Sequence, residues 1–250
     1  MNDLFSVENK IVVITGGSKG IGNAIANEFA KRNSIVFILD KMIPKKNKLT
    51  NITYIKCDIT SNTQIHNACK NILKKNKKIH VLINNAGITI PNNTKDDYSL
   101  KNWEKTLTVN LTGAFICAQA IGKIMKKQKN GSIINITSIN AEVGFPNNPA
   151  YVASKGGLKM LTKSLAKDYG EYGIRVNNLG PGYIQTDMTK NSYKNKKTRD
   201  SREKQTLLGK WGKVSDLIGP CIFLASDSSK YITGQDIYVD GGWLANGLIE

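Results

Sequence analysis

Compact blocks of β-branched and aliphatic residues alternate with longer stretches whose apolar positions recur every three to four residues. The blocks at 11–14, 35–39, 52–57, 79–83, 131–137, 174–179 and 235–239 read as apolar throughout, as strands buried on both faces do. The stretches between them predict helices at 21–32, 64–75, 100–127, 151–169 and 214–226. Ile21, Ile25, Ala26 and Phe29 share one face of the first; Ile65, Ala68, Cys69 and Ile72 point inward on the second. Seven strands separated by helices predict an α/β protein. Its sheet is parallel, seven-stranded and doubly wound by right-handed crossovers, with helices on both faces. No internal repeat or linker divides the 250 residues, so 1–250 reads as a single domain. Residues 187–210 break the rhythm, with almost no apolar periodicity and eight cations against three acids. Beyond the carboxyl end of the sixth strand, such a stretch predicts a mobile substrate lid, a solvated loop being the plainer alternative.

The first strand runs into Thr15-Gly16-Gly17-Ser18-Lys19-Gly20-Ile21-Gly22, and a helix follows. Gly16 permits a sharp turn out of the strand, Gly20 lets backbone approach a pyrophosphate, and Gly22 lets helix and strand pack closely. The helix amino terminus offers free N–H groups and a positive dipole end. Strand, glycines and helix in this order mark the dinucleotide site of a Rossmann fold. Asp40 closes the second strand, 18 residues after Gly22. A carboxylate there accepts from ribose hydroxyls and repels a 2′-phosphate, which favours NAD. Lys19 and Lys41 are placed to face a 2′-phosphate, so NADP stays open.

Tyr151 and Lys155 stand four apart at the start of a helix and share a face. A free tyrosine, with a pKa of about 10, is a poor proton carrier at neutral pH. A neighbouring ammonium favours the phenolate and lowers that value toward working pH. Ser138, at the end of the fifth strand, precedes Tyr151 by 13 residues, and its hydroxyl suits the same substrate oxygen.

Together these motifs resemble the short-chain dehydrogenases/reductases. The order is Thr15 to Gly22, Asp58, Asn84-Asn85-Ala86-Gly87, Asn110, Ser138, Tyr151-Val-Ala-Ser-Lys155, Pro181-Gly182 and Val239-Asp240-Gly241-Gly242. The resemblance spans essentially the whole chain. It implies that Tyr151 is the general acid/base and that Ser138 orients the substrate oxygen. Lys155 would bind the nicotinamide ribose and depress the Tyr151 pKa, and Asn110 would hold a water relaying protons from Lys155 to solvent. The cofactor would lie along Gly16, Ser18, Lys19, Gly20, Ile21, Gly22 and Asp40. Asp58 and Ile59 would flank the adenine, with Asn85, Ala86 and Gly87 beside the cofactor; the strand residue Asn84 would support them. Past Pro181 and Gly182, Ile184 and Thr186 would hold the carboxamide. The resemblance also implies a homotetramer or homodimer built on the long helices after the fourth and fifth strands. The apolar tail 243–249 would be covered by a partner subunit or by its own pocket.

Substrate choice should reside in 140–148, 87–97 and the lid. Asn140, which also reads as substrate-binding, stands with Glu142, Asn147 and Asn148 in a polar segment that suits a sugar, polyol or sugar acid. The stretch from Trp211-Gly212 to Trp243 resembles the gluconate 5-dehydrogenase-like branch. The alternative is a 3-oxoacyl-carrier-protein reductase, whose acidic carrier would dock on Lys123, Lys126, Lys127 and Lys129.

Charge changes this picture little. The formal net charge is +17, but 32 of the 36 cations are lysine and four are arginine. Base readout favours the planar fork of arginine. The clusters at 41–48, 74–78 and 190–204 lack aromatic interleaving, so a non-catalytic nucleic-acid-binding or regulatory protein is the remote alternative and no specific nucleic-acid partner is expected. Cys57, Cys69, Cys117 and Cys221 form no CxxC pair, which suits reduced thiols in the cytoplasm. His66 and His80 have no ligand spacing, so no metal is expected. No signal peptide is evident, and no uninterrupted apolar run is long enough to suggest a membrane. The net excess of five positive charges in the lid suits an acidic substrate.

Overall fold

Every apolar block forms a strand: β1 (Ile11–Thr15), β2 (Ile35–Asp40), β3 (Ile52–Lys56), β4 (Val81–Asn84), β5 (Gly131–Ile136), β6 (Ile174–Pro181) and β7 (Asp236–Val239). The computed structural model describes residues 3–44, 49–92 and 97–246. All pairings are parallel, in the order β3-β2-β1-β4-β5-β6-β7. The chain winds outward from β1 to β3, then returns to lay β4 on the other side of β1. Thr15 pairs with Leu39 on one side and Asn84 on the other, so a crevice opens above their carboxyl ends.

The helices are α1 (Gly20–Lys31), α2 (Asn62–Asn76), α3 (Leu100–Leu107), α4 (Gly113–Gln128), α5 (Pro149–Gly170), α6 (Lys190–Lys194), α7 (Lys196–Lys204) and α8 (Ile218–Ala225). Successive strand side chains point to opposite faces, so each strand feeds two cores. Val13, Leu82, Ile133 and Val176 meet Ile72, Ile121, Met125 and Leu165 from α2, α4 and α5. Val12, Ile14, Ile83 and Ile134 meet Ile25 and Phe29 of α1 and Cys221 and Leu224 of α8. Burying each such Ile, Leu or Phe stabilises the fold by about 1.5–3 kcal/mol. Local signals set the helix starts: Ser61 accepts from Gln64 N at 3.4 Å before α2, and Pro149 opens α5.

The structure departs from the sequence expectations in five places. No helix lies between β2 and β3 among the described residues 41–44 and 49–51; the connection is short and lysine-rich, with no apolar face to bury. The basic cluster 41–48 falls partly outside the described residues, as do parts of 87–97 and of the tail 243–249. β3, at the sheet edge, is half-exposed rather than apolar throughout. The helix expected over 100–127 is interrupted by a π turn at Thr108–Thr112. Residues 214–226 begin as a 3₁₀ turn, Val214–Leu217, before α8. Finally, 187–210 is not a loop: it holds α6 and α7. Neither buries a residue, so no apolar stripe announced them; an Asn195 cap, accepting from Thr198 N at 3.0 Å, starts α7. Leu100–Gln128 is long and apolar enough by composition to cross a membrane, but here α4 packs against α2, β4 and β5.

Candidate active site

At the turn after β1, glycine is required by what surrounds it. A Cβ on Gly22 would sit 2.4 Å from Asn85 Nδ2 and 2.6 Å from Gly16 O. That contact zone joins α1 to the loop after β4, and Asn85 Nδ2 donates to Thr15 O and Gly16 O at 3.0 and 2.7 Å. Gly20 has φ +60°, and a Cβ there would meet nothing within 4 Å. Its outer face is open backbone. Lys19, at the helix cap, makes no side-chain cap, so the first-turn N–H groups of α1 face the crevice.

At the end of β2, Asp40 Oδ2 accepts from Ser18 N and Oδ1 from Met42 N, both at 3.0 Å. The carboxylate pins the glycine turn and keeps lone pairs for a further donor. Lys41 Nζ lies 2.8 Å from Asp58 Oδ2. Burial raises the Asp58 carboxyl, but bonds from Lys41 and Thr60 outweigh it and hold the group below its usual range.

At the other end, β5 stops short of Ser138 and α5 carries Tyr151 and Lys155. The Ser138 hydroxyl reaches the Tyr151 phenol. Lys155, 4% exposed, donates to Ile136 O at 2.8 Å, and its Nζ lies 5.6 Å from the Tyr151 ring centroid. Burial lowers the Lys155 pKa to about 8. Burial raises the Tyr151 phenol, with Ser138 opposing. The lowering of Tyr151 by Lys155 expected from their spacing does not set the direction here: desolvation of the phenol dominates, and Ser138 is the group that opposes it.

The π turn positions Asn110. Its Oδ1 accepts from Ile88 N at 2.8 Å, and its Nδ2 donates to Ile88 O at 2.9 Å and Ser154 Oγ at 3.0 Å. Both amide hydrogens are therefore committed, and the side chain is a strut between the β4 loop and α5. A Cβ on Gly87 would lie 3.4 Å from Asn110 Oδ1 and 3.7 Å from Lys155 Nζ, which places the β4 loop in contact with both side chains.

A cleft of about 380 Å³ joins these two ends. It brings together Gly16, Lys19, Gly20, Ile21, Asp40, Asp58, Ile59, Asn85, Ala86, Gly87, Ser138, Tyr151, Lys155, Pro181, Gly182, Ile184 and Thr186. Ser18 and Gly22 stand behind it, holding the turn. Asn110 also stays outside, and Asn140 lines a neighbouring cavity. Sequence reasoning missed Leu39, Met42, Cys57, Lys105, Val109, Ile136 and Thr137, whereas Ile88, Asp187, Met188 and Thr189 fall in the stretches expected to choose the substrate. Leu39, Met42, Cys57 and Thr137 adjoin residues the sequence analysis named, and strand alternation out of β2 and β5 was the signal available for Leu39 and Thr137. Thr137 Oγ1 is buried in the cleft wall without a hydrogen-bond partner among the described residues. That hydroxyl, the open backbone at Gly20 and the elongated shape suit an extended ligand with a phosphate at one end and a polar ring at the other.

Comparison with known proteins gives a consistent result. A family model described as enoyl-(acyl carrier protein) reductase matches residues 16–244. The chain is 34% identical to the 2-dehydro-3-deoxy-D-gluconate 5-dehydrogenase of Bacillus subtilis (strain 168), over 98% of both chains. It is 33% identical to the 5-keto-D-gluconate 5-reductase of Escherichia coli (strain K12), over 98% of this chain and 99% of that one. The crystal structure of a gluconate 5-dehydrogenase from Burkholderia cenocepacia J2315, in complex with NADP and tartrate, superposes with a TM-score of 0.92 at 33% identity. The match covers 97% of this chain and 98% of that one.

Proposed function

Because the chain belongs to the short-chain dehydrogenase/reductase family, we propose that it interconverts a secondary alcohol and a ketone on a sugar, polyol or sugar acid, using a nicotinamide dinucleotide. One observation carries the reading. Ser138, Tyr151 and Lys155 converge at one end of a cleft whose other end is the glycine turn of α1. The relatives' names favour a sugar acid over an acyl thioester. On the docking face the alternative requires, Lys126 is engaged, its Nζ 4.4 and 4.7 Å from the ring centroids of Tyr169 and Tyr172.

When bound, the nicotinamide supplies or accepts the hydride. Ser138 binds the substrate oxygen beside Tyr151, and Tyr151 gives it a proton or takes one. Burial favours the protonated phenol, the form needed to donate to a ketone. Lys155 is mostly charged at neutral pH and so favours the phenolate left after donation. Asn110 holds the Ile88 loop against α5 and so fixes the floor under Lys155. Asp40 would take the ribose hydroxyls and favour NAD. Lys41 is tied to Asp58, but Lys19 also lines the cleft and can meet a 2′-phosphate, so NADP stands beside NAD as cofactor.

Residues 187–210 serve as the substrate lid: Asp187, Met188 and Thr189 line the cleft just before α6. The assembly is a homotetramer or homodimer closing through α4 and α5, where Phe115 and Met160 are exposed. Four buried free thiols suit the cytoplasm.

The test is Tyr151→Phe, assayed by reduced-nicotinamide absorbance with NAD and with NADP. Turnover should fall roughly 10²–10⁴-fold with cofactor binding kept. Near-normal turnover would sink the assignment.

A further inference from the structure

A second cavity, of about 410 Å³, is lined by Asn140, the hydrogen-bonding neighbour of Ser138 in the cleft. Asn140, Tyr183, Lys197, Arg202, Gln205 and Trp243 give it its chemistry, and no carboxylate lines it. Arg202 is its distinctive group. The guanidinium lies 4.4 Å from the Tyr183 ring centroid, 5.5 Å from that of Trp211 and 5.8 Å from that of Phe145. Those rings brace one another, with Tyr183 5.3 Å from Trp211 and 6.1 Å from Trp243. Trp211 is buried, and its Nε1 donates to Arg199 O at 3.3 Å, tying α7 to the cluster.

Two other cations of this region are neutralised. Arg199 pairs with Asp200 at 3.2 Å, and Lys159 with Glu142. Among the described residues Arg202 has no carboxylate within 4.0 Å; the Tyr183 phenol is its hydrogen-bonding neighbour. The rings hold the guanidinium in place, and the N–H groups not given to the Tyr183 phenol remain to bind elsewhere; a guanidinium so placed can take a carboxylate. Other donors face the same space. Gln205 Oε1 accepts from Trp243 Nε1 at 3.0 Å, which leaves its Nε2 free to donate. Asn140 Oδ1 accepts from Ser138 Oγ at 3.3 Å, so its Nδ2 is likewise free.

Asn140, in the wall of this cavity, is bonded to Ser138, in the wall of the cleft: its backbone N also donates to Ser138 Oγ, at 3.2 Å. A substrate with its reacting oxygen at Ser138 and Tyr151 would have this donor-rich space beside it, past Asn140. We infer that Arg202, with Lys197 at the rim, is the specificity-determining anchor for a substrate carboxylate remote from the reacting carbon. The substrate class is then a polyhydroxy monocarboxylate oxidised or reduced away from its acid end. This rests on the polyhydroxy-substrate reading above. A 2-hydroxy acid would place its carboxylate in the cleft, which Arg202 does not line.

The experiment is steady-state oxidation of four- to six-carbon aldonates, each paired with its neutral alditol, by the wild-type enzyme, R202Q and K197Q. Wild type should prefer the acid. R202Q should raise KM for the acid roughly 10- to 100-fold, the scale of a lost charged hydrogen bond. Its KM for the alditol, its kcat, its melting temperature and its cofactor binding should stay within about twofold, against that same scale. K197Q should give a smaller effect of the same kind. Equal use of acids and alditols by wild type overturns the anchor and leaves the polyhydroxy reading standing, as does R202Q losing both alike. No turnover of any member overturns both. If R202Q does not fold, the wild-type acid-to-alditol ratio and K197Q decide.

Discussion

Replacing Lys155 with methionine should make the protein more stable and inactive. The ammonium is 4% exposed, and burial lowers its pKa from 10.5 to about 8. Through linkage, that displacement means the charged form costs the fold about 3 kcal/mol at neutral pH. The bond to Ile136 O, at 2.8 Å, returns about 1–2 kcal/mol. Methionine keeps the unbranched stem and removes both. The net gain is about 1–2 kcal/mol, or roughly 2–8 °C in Tm for a chain of this size. The sign of the pH dependence is fixed. Above pH 8 the folded protein releases this proton, while the unfolded chain holds it up to about 10.5. Wild-type stability therefore rises across that window, and the variant's advantage should narrow over it. Urea unfolding at pH 7 and pH 10, with turnover measured on the same samples, checks both parts. A variant less stable than wild type at pH 7, or an advantage independent of pH, would refute the reasoning. Retained turnover would refute the role given to Lys155.

Two further predictions concern groups the chemistry depends on indirectly. Asn135 Nδ2 donates to Thr162 Oγ1 at 2.7 Å, and that hydroxyl donates to Asn178 Oδ1 at 2.6 Å, linking β5 to β6 through α5. Thr162→Val strands both amide groups and should cost roughly 2–5 kcal/mol in urea unfolding. Thr162→Ser should lose only about 1 kcal/mol for the methyl; equal losses would show that the hydroxyl does not bridge. His80 Nδ1 accepts from Ile11 N at 2.8 Å, a bond only the neutral ring makes. Burial, then Lys10 and Lys78, lower its pKa. Its stabilisation is full above the unfolded value of about 6.5 and is lost as pH falls toward the folded value. His80→Asn keeps an acceptor without a titration, so its acid unfolding curve should be flatter below pH 6.5; an unchanged curve would exclude His80 as the sensor.

The seven strands, their parallel winding and most of the cleft were legible from the sequence because they rest on local, periodic signals. Continuous apolar blocks set the strands; the glycines at 16 and 22 stand where a Cβ would clash, and the one at 20 supplies a positive φ. Tyr151 and Lys155 share a helix face through 3.6-residue periodicity alone. α6 and α7 escaped because a helix with no buried face has no stripe to read. Other features exist only once distant segments meet. Desolvation decides the direction of the Tyr151 and Lys155 displacements, and burial depends on what β5, α5 and the β4 loop place around them. Arg202 looked like one cation among 36. Only the tertiary structure stacks it on Tyr183, Phe145 and Trp211, drawn from three separate stretches of chain, and leaves it without a counter-ion among the described residues. In a basic chain such as this, composition sets how much positive charge there is. Packing decides which charge is left to meet a ligand.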